Sequence, residues 1–355
     1  MHHFIAFIIR ANVLKISDQA GSAEFSESLQ QVIAGVILLI IGIIDFCWTT
    51  LWPDGGAGPV TSRVSLLFWM GIRWMSRGSS KIISMAGPII LIATLLTWVA
   101  LFWTGWTLIF AADPGSFIDT NDNNPISWTE RWYVSGYLLF TLGVGDHIMK
   151  EGVWQILAIL TAASGLVFIT LGVTYILSVL DAVTQKRAFA ESVRGIGSEV
   201  TEIVNNSWNG KDFKDIDLLL NIFSSKLSTL TSQHNAYPIL HYYHSSKRDE
   251  ELTVSVATLD EVLTVFKYGM KEDVGPNKLL VEESRSSIES FIVTLRSGYI
   301  TPAEFAPPVP DLDTMRGKGL PTVSTAEFLA SLEDLSERRK ALLGSLRDNG
   351  RHWPE

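Results

Sequence analysis

The distribution of apolar and polar positions divides the chain near residue 183 into an apolar part and a polar part. A bilayer core of about 30 Å takes about 20 apolar residues as a helix, and three runs meet that length. Residues 30–52 carry Asp45 as their only charge, and residues 86–111 and 153–180 carry none. Val64–Met75 is shorter and holds Arg73, which predicts a helix lying at the membrane surface; residues 3–16 read the same way. Between the second and third spans lies a shorter apolar element at 128–140. Ser127 precedes it and Glu130 follows three residues later, a capping-box signature. The element is too short to cross a bilayer, so it should enter and stop. Irregular backbone at such depth is tolerated only where protein buries it or where it lines a water-filled path.

Beyond residue 183 the pattern predicts soluble helices at 184–206 (continuing the third span), 213–232, 237–246, 249–271, 276–298 and 325–348. Leu252, Val256, Leu259, Leu263 and Phe266 recur at helical spacing. Ser324 with Glu327 forms a capping box for the last helix. Residues 299–323, rich in Pro and Gly, read as a linker. The expected organisation is an N-terminal segment 1–29, a first span with a basic loop 30–85, a two-span unit 86–183 and a helical domain 184–355.

Charge orients this arrangement. Loop 53–85 holds Arg63, Arg73, Arg77 and Lys81 against Asp54, and Lys186 and Arg187 follow the third span. Loop 112–152 holds Asp113, Asp119, Asp122, Glu130, Asp146 and Glu151 against Arg131 and Lys150. Basic loops face the cytoplasm, so the C-terminal domain is expected inside and the loop with the short element outside. With three spans, residues 1–29 then face outward. The first 183 residues hold 8 basic and 12 acidic side chains and the remainder 20 and 25, which excludes a basic nucleic-acid surface. Cys47 is the one cysteine and lies inside an apolar run, so no intrachain disulfide or cysteine metal site exists. Met1-His2-His3-Phe4 lacks the basic start of a cleavable signal peptide.

The short element leads into Thr141-Leu142-Gly143-Val144-Gly145-Asp146. An ion leaving water needs its hydration shell replaced by oxygens, which rings of backbone carbonyls supply. Aligned carbonyls require backbone conformations that L-residues resist and glycine permits, which suits Gly143 and Gly145. Thr141 adds a hydroxyl at one end, and Leu142 and Val144 are expected to pack behind the strand. The C-terminal end of the short helix is partly negative and favours a cation beside it.

This hexapeptide resembles the Thr-Val-Gly-Tyr-Gly-Asp filter of the potassium-channel pore-domain superfamily. So does its setting: an outer helix 86–111, a pore helix 128–140, the filter 141–146 and an inner helix 153–180. The resemblance covers about 86–185. It implies an all-α membrane protein with a P-loop pore, an added N-terminal transmembrane helix and a helical cytoplasmic domain. It also implies a homotetramer in the plasma membrane, since each chain supplies one such loop, and passive K⁺ transport with K⁺ at the filter carbonyls and no cofactor. Asp146 resembles the filter-exit aspartate that anchors the strand. Val144 departs from the pattern, because the commonest residue there is Tyr or Phe. Gly165, twenty residues beyond Gly145, has a spacing similar to the family's hinge glycine, and Gly172 is a second candidate; close helix contact is the competing role for Gly165.

Voltage sensing finds no arginine-rich span. Asp45 is the one carboxylate within a span and either pairs with Arg73 or Arg77 or anchors at the interface. Gly195-Ile196-Gly197 lacks the third glycine of a dinucleotide motif, Arg316-Gly317-Lys318-Gly319 lacks phosphate-loop spacing, and no nucleophile–base set suggests an enzyme. His234, His241 and His244 cluster in the tail, the last two expected on one helix face, in packing rather than metal binding. Gating by the tail, through an unidentified cytosolic ligand, is the expected control. A poorly selective cation channel and a non-conducting receptor or scaffold with a pore-like fold are the alternatives left open.

Overall fold

A computed structural model describes residues 22–53, 55–76, 79–120, 126–247, 250–296, 301–348 and 350–354. The expected surface helix at 3–16, and Arg77 and Asp122, lie outside the described residues. The chain forms two compact units: 1–65 with 91–177, and 66–90 with 178–355.

In chain order, helix α1 (Ser22–Leu51) is followed by α2 (Pro59–Ser76), the short α3 (Ser80–Ile83) and α4 (Ala86–Ala111). Strand β1 (Phe117–Asp119), helix α5 (Trp128–Leu139), strand β2 (His147–Met149) and helix α6 (Val153–Arg194) follow. α3 belongs to the second unit, α2, α4 and α6 are divided between the two, and the rest belong to the first. Phe25–Leu51, Ser80–Ala111 and Val153–Arg194 are each long and apolar enough to cross a membrane. Their flanks leave Ile37, Ile43, Ile92, Leu96, Ile159 and Leu166 exposed, as helix faces turned to lipid would be.

Small residues let α1 and α4 approach closely. A Cβ on Gly35 would stand 2.6 Å from the Gly105 carbonyl oxygen, and one on Gly105 would stand 2.8 Å from Leu39 Cγ. About two turns further along, Phe46, Trp98, Phe102 and Phe168 form a cluster of edge-to-face and tilted rings joining α1, α4 and α6.

Asp45 lies fully buried at the edge of that cluster. Its carboxylate accepts the N–H groups of Val60 at 2.7 Å and Thr61 at 3.1 Å, the Thr61 hydroxyl at 2.5 Å and Trp98 Nε1 at 2.8 Å. The first helical N–H groups have no partner within their own helix, and a negative charge there also meets the positive end of the helix dipole. Asp45 is therefore a long-range cap for α2. Of the two readings given for it, a pair with Arg73 or Arg77 and anchoring at the interface, Arg77 lies outside the described residues, and the partners seen are backbone N–H groups, a hydroxyl and an indole.

The expected spans coincide with α1, α4 and α6 to within a few residues at their junctions, except that α1 starts at Ser22 and α6 runs on to Arg194. α6 stops short of the expected 206 because Gly195 and Gly197 interrupt it; a Cβ on Gly197 would press on the Ile203 N–H at 2.9 Å. The short antiparallel pair β1–β2 was not expected in an all-α chain.

In the second unit the C-terminal residues form α7 (Val200–Asn206), α8 (Asp217–Ala236), α9 (Leu252–Thr264, ending in a π turn at Val265–Gly269), α10 (Lys278–Arg296), α11 (Leu312–Gly317), α12 (Thr325–Glu333) and α13 (Ser336–Asp348). Every residue of α9 is buried. A helix buried on all sides belongs at the centre of its domain, and the apolar residues of α9 share one core with Phe223, Phe291, Ile288 and Leu346. Its two acids are met by two adjacent arginines of α13. Arg339 Nε donates to Glu261 at 2.7 Å, and Arg338 Nη2 donates to Asp260 at 2.6 Å. Three tail expectations change. Residues 237–246 hold only a 3₁₀ turn at Pro238–Tyr242, so His241 and His244 share no helix face. The last helix is two, because Ser336 starts a new one. The linker contains α11.

Lys186, low on α6, donates to the carbonyls of Leu240 at 2.9 Å and Tyr243 at 2.9 Å. His234 is buried nearby. Burial, and then the Lys186 ammonium, push its imidazole down to about 3. Such a group stays neutral when folded and titrates near 6.5 when unfolded. Its contribution is fully present above pH 6.5 and declines as pH falls towards 3, by up to about 1.4 kcal/mol per pH unit. His234→Gln, which does not titrate, should therefore flatten the loss of melting temperature between pH 6.5 and 4; an unchanged slope would contradict this assignment. Asp45→Leu should lower the stability of the detergent-solubilised protein by about 2–4 kcal/mol, read as an earlier thermal transition, because it strands two N–H groups and an indole.

Candidate functional site

The segment 141–146 is set by the helix before it and the sheet after it. Helix α5 begins with both halves of the expected capping box: Ser127 Oγ accepts the Glu130 N–H at 3.3 Å, and Glu130 Oε2 accepts the Ser127 N–H at 2.6 Å. Arg131 ties this first turn to the end of α4. Its Nη1 donates to the Phe110 carbonyl at 3.1 Å and its Nη2 to the Pro114 carbonyl at 3.1 Å. Further along, Gly136 admits the Trp103 ring, which a Cβ would meet at 2.7 Å, and Trp103 Nε1 donates to the Trp132 carbonyl at 2.9 Å. The far end rests on α6, where a Cβ on Gly165 would stand 1.7 Å from the Leu139 carbonyl oxygen. Glycine at 165 is thus demanded by close approach. Gly172 has open space around it and lies on a helix uninterrupted from Val153 to Arg194.

Helix α5 ends in a Schellman turn. The Leu142 N–H reaches back to the Tyr137 carbonyl at 2.8 Å and the Thr141 N–H to the Leu138 carbonyl at 3.1 Å. The left-handed residue this motif requires is normally glycine. Here it is Thr141, with φ of 58°, the only non-glycine residue with positive φ among those described. A β-branched residue there is an outlier, and strain of about 1–3 kcal/mol is typical of such positions.

The alternation then continues. Gly143 has φ of 61° and Gly145 of 87°, with Leu142 and Val144 between them at negative φ. Reversing the hand at every second residue turns successive peptide planes to the same side, so their carbonyls no longer alternate as in a β-strand. Among the described residues no hydrogen bond reaches the carbonyl oxygens of 141–145. The Leu142 and Val144 side chains, expected to pack behind the strand, are 71% and 55% exposed within the single chain. A Cβ on Gly143 or Gly145 would touch nothing within 4 Å. Glycine is needed there for its backbone freedom and not for space.

Beyond the segment the chain is fastened again. The Asp146 carbonyl accepts from the Thr120 N–H at 3.1 Å and its hydroxyl at 2.8 Å. Strands β1 and β2 then pair, with Phe117 opposite Met149, Ile118 opposite Ile148 and Asp119 opposite His147. The Tyr137 hydroxyl donates to the His147 carbonyl at 3.0 Å, which closes the loop back onto α5. The Asp146 carboxylate stands 3.2 Å from His147 Nδ1.

Sequence reasoning brought together 141–146 and the helix before it, but it read Arg131 as a loop charge and gave no role to Thr120, Tyr137 or His147. The three tail histidines do not converge as metal donors among the described residues; the one such grouping is Asp119, Glu130 and His147.

Three apolar helices of spanning length define a multi-span helical membrane protein. The chain is 50% identical over 323 residues, 91% of its own length and 95% of the relative's, to "Uncharacterized membrane protein YdjJ" of Bacillus subtilis (strain 168), and it belongs to that protein's family. No family model matches the chain, and no solved structure matches it.

Thr141→Gly should relieve the turn and raise thermal stability by about 1 kcal/mol, whereas Gly165→Ala should lower it by more, since the added methyl meets backbone. Equal effects of the two substitutions on the thermal transition would contradict both assignments.

Proposed function

We propose that the chain is one subunit of a homotetrameric, potassium-channel-like pore that passes K⁺ down its gradient, with 141–146 as the ion-selecting path. The observation that carries this reading is the run of backbone carbonyls at 141–145. Positive φ at Thr141, Gly143 and Gly145 breaks the alternation a β-strand would give them, and they are without hydrogen-bond partners among the described residues. Five unpaired carbonyls in a membrane protein would be costly unless a cation or water met them. One segment per chain cannot encircle an ion. Four around an axis can, and such an assembly would also cover Leu142 and Val144. The partly negative end of α5 lies directly before the segment and favours a cation.

In this reading α4 is the outer helix, α5 the pore helix and α6 the inner helix. The protein sits in the plasma membrane with its C-terminal helices in the cytoplasm, following the basic loops. K⁺ is cargo, and no cofactor is required. No span carries the row of arginines a voltage sensor needs, so a cytosolic ligand acting on the C-terminal helices, rather than voltage, is the proposed trigger. Gly165 serves contact with α5, which leaves Gly172 as the less constrained place for α6 to bend.

A poorly selective cation pore is favoured by one specific observation. Val144 carries no aromatic ring and lies exposed in the chain, so nothing within a subunit braces the segment against changing width. The purified protein reconstituted in planar bilayers under a K⁺/Na⁺ gradient should reverse near the K⁺ equilibrium potential. Reversal near zero would establish the unselective pore. Gly143→Asp should abolish flux from proteoliposomes while leaving assembly intact, and undiminished flux in that variant would overturn the assignment of 141–146.

A further inference from the structure

His147 follows the segment directly, and its side chain is only 7% exposed. A buried imidazole normally has at least one ring nitrogen hydrogen-bonded. Here neither Nδ1 nor Nε2 makes a hydrogen bond among the described residues. Nε2 instead faces the Asp119 carboxylate at 4.0 Å, and Nδ1 stands 3.2 Å from Asp146 Oδ1, out of line for a hydrogen bond. Backbone pairing explains why these groups meet. Asp119 and His147 are directly opposed in the β1–β2 ladder, and opposed residues project to the same face. Glu130 completes the set from the first turn of α5, where its capping bond to the Ser127 N–H fixes the carboxylate. One donor atom each from Asp119, Glu130 and His147 lies within 4.8 Å of the other two.

We propose that Asp119, Glu130 and His147 bind a divalent transition-metal ion of the zinc class, with Asp146 orienting the imidazole from its other side. Donors about 2.0–2.1 Å from a tetrahedral ion stand about 3.3 Å apart. The donor atoms, within 4.8 Å of one another, must close to that value, and Glu130 has a second carboxylate oxygen beside the one held by the Ser127 N–H. A nitrogen donor with two carboxylates suits Zn²⁺ and its neighbours rather than Ca²⁺ or Mg²⁺, which take oxygen donors in larger number. A turn of the ring that brought Nδ1–H into line with Asp146 Oδ1, already 3.2 Å away, would give the ion-and-carboxylate pairing that metal-bound histidines usually show. Three protein donors leave a coordination position for water. Asp146 belongs to both the segment and this site, so an ion on His147 would fix the carboxyl end of 141–146.

The test is equilibrium dialysis of the full-length protein in detergent against ZnCl₂ with millimolar MgCl₂ present, zinc being counted by atomic absorption. One saturable Zn²⁺ per chain is expected, with affinity at least tenfold weaker in both His147→Ala and Asp119→Asn and unchanged in His352→Ala. Ions held by other histidines, such as His2 and His3, would survive the first two substitutions. Absence of saturable binding, equal affinity in all variants, or displacement by Mg²⁺ would overturn the proposal. With two variants on different strands, loss of folding in one leaves the other to decide. Dialysis reads the ion itself, so its outcome stands whether or not 141–146 conducts.

Discussion

Everything around the loop of this protein follows from one backbone constraint: a chain that reverses hand at every second residue cannot hold itself in place. Helices and strands are self-supporting because each residue's N–H and C=O find partners in a regular ladder. From Thr141 to Gly145 that ladder is missing, and the conformation has to be imposed at the ends. At one end the Schellman turn fixes the departure from α5 and forces Thr141 into a region its side chain resists. At the other, Thr120 and the β1–β2 pair hold Asp146 and His147. Arg131, Trp103 and Gly165 then position α5 itself, so the accuracy of five carbonyls is traceable to contacts on two spanning helices.

The same economy governs the charged groups that lie in apolar surroundings. Asp45 is acceptable inside the first unit because two N–H groups, a hydroxyl and an indole surround it at the start of α2. Asp260 and Glu261 are acceptable inside the C-terminal helices because Arg338 and Arg339 arrive together from α13. Burial alone pushes the Glu261 carboxyl upward, and the Arg339 guanidinium opposes it. Removing either arginine would leave a buried charge uncompensated, which is far more destabilising than the intact pair is stabilising.

How much of this could be read from the sequence depends on the range of the interaction. The spans were legible because twenty apolar residues have few other uses, and the start of α5 because a capping box is a four-residue device. Gly143 and Gly145 announced positive φ by their identity. Thr141 did not, since a β-branched residue argues against the left-handed region; only the two reverse hydrogen bonds of the turn account for it. The β1–β2 pair was invisible because three-residue strands carry no usable alternation. With it went the meeting of Asp119 and His147, whose pairing spans twenty-eight positions. The partners of Asp45 lie 15 and 53 residues away, so no local pattern could distinguish a helix cap from an ion pair. In the tail, Pro238 and Ser336 carried the signals for a 3₁₀ turn and a new helix, but periodicity outweighed them.

The 42 residues of helix α6 make a rod about 63 Å long at 1.5 Å per residue, about twice the hydrocarbon thickness of a bilayer. Its first residues, 153–180, carry no charge, and its last turns hold Asp181, Lys186, Arg187, Glu191 and Arg194. The rod therefore leaves the apolar layer without a break, and a backbone ladder satisfied within the helix is what permits that passage.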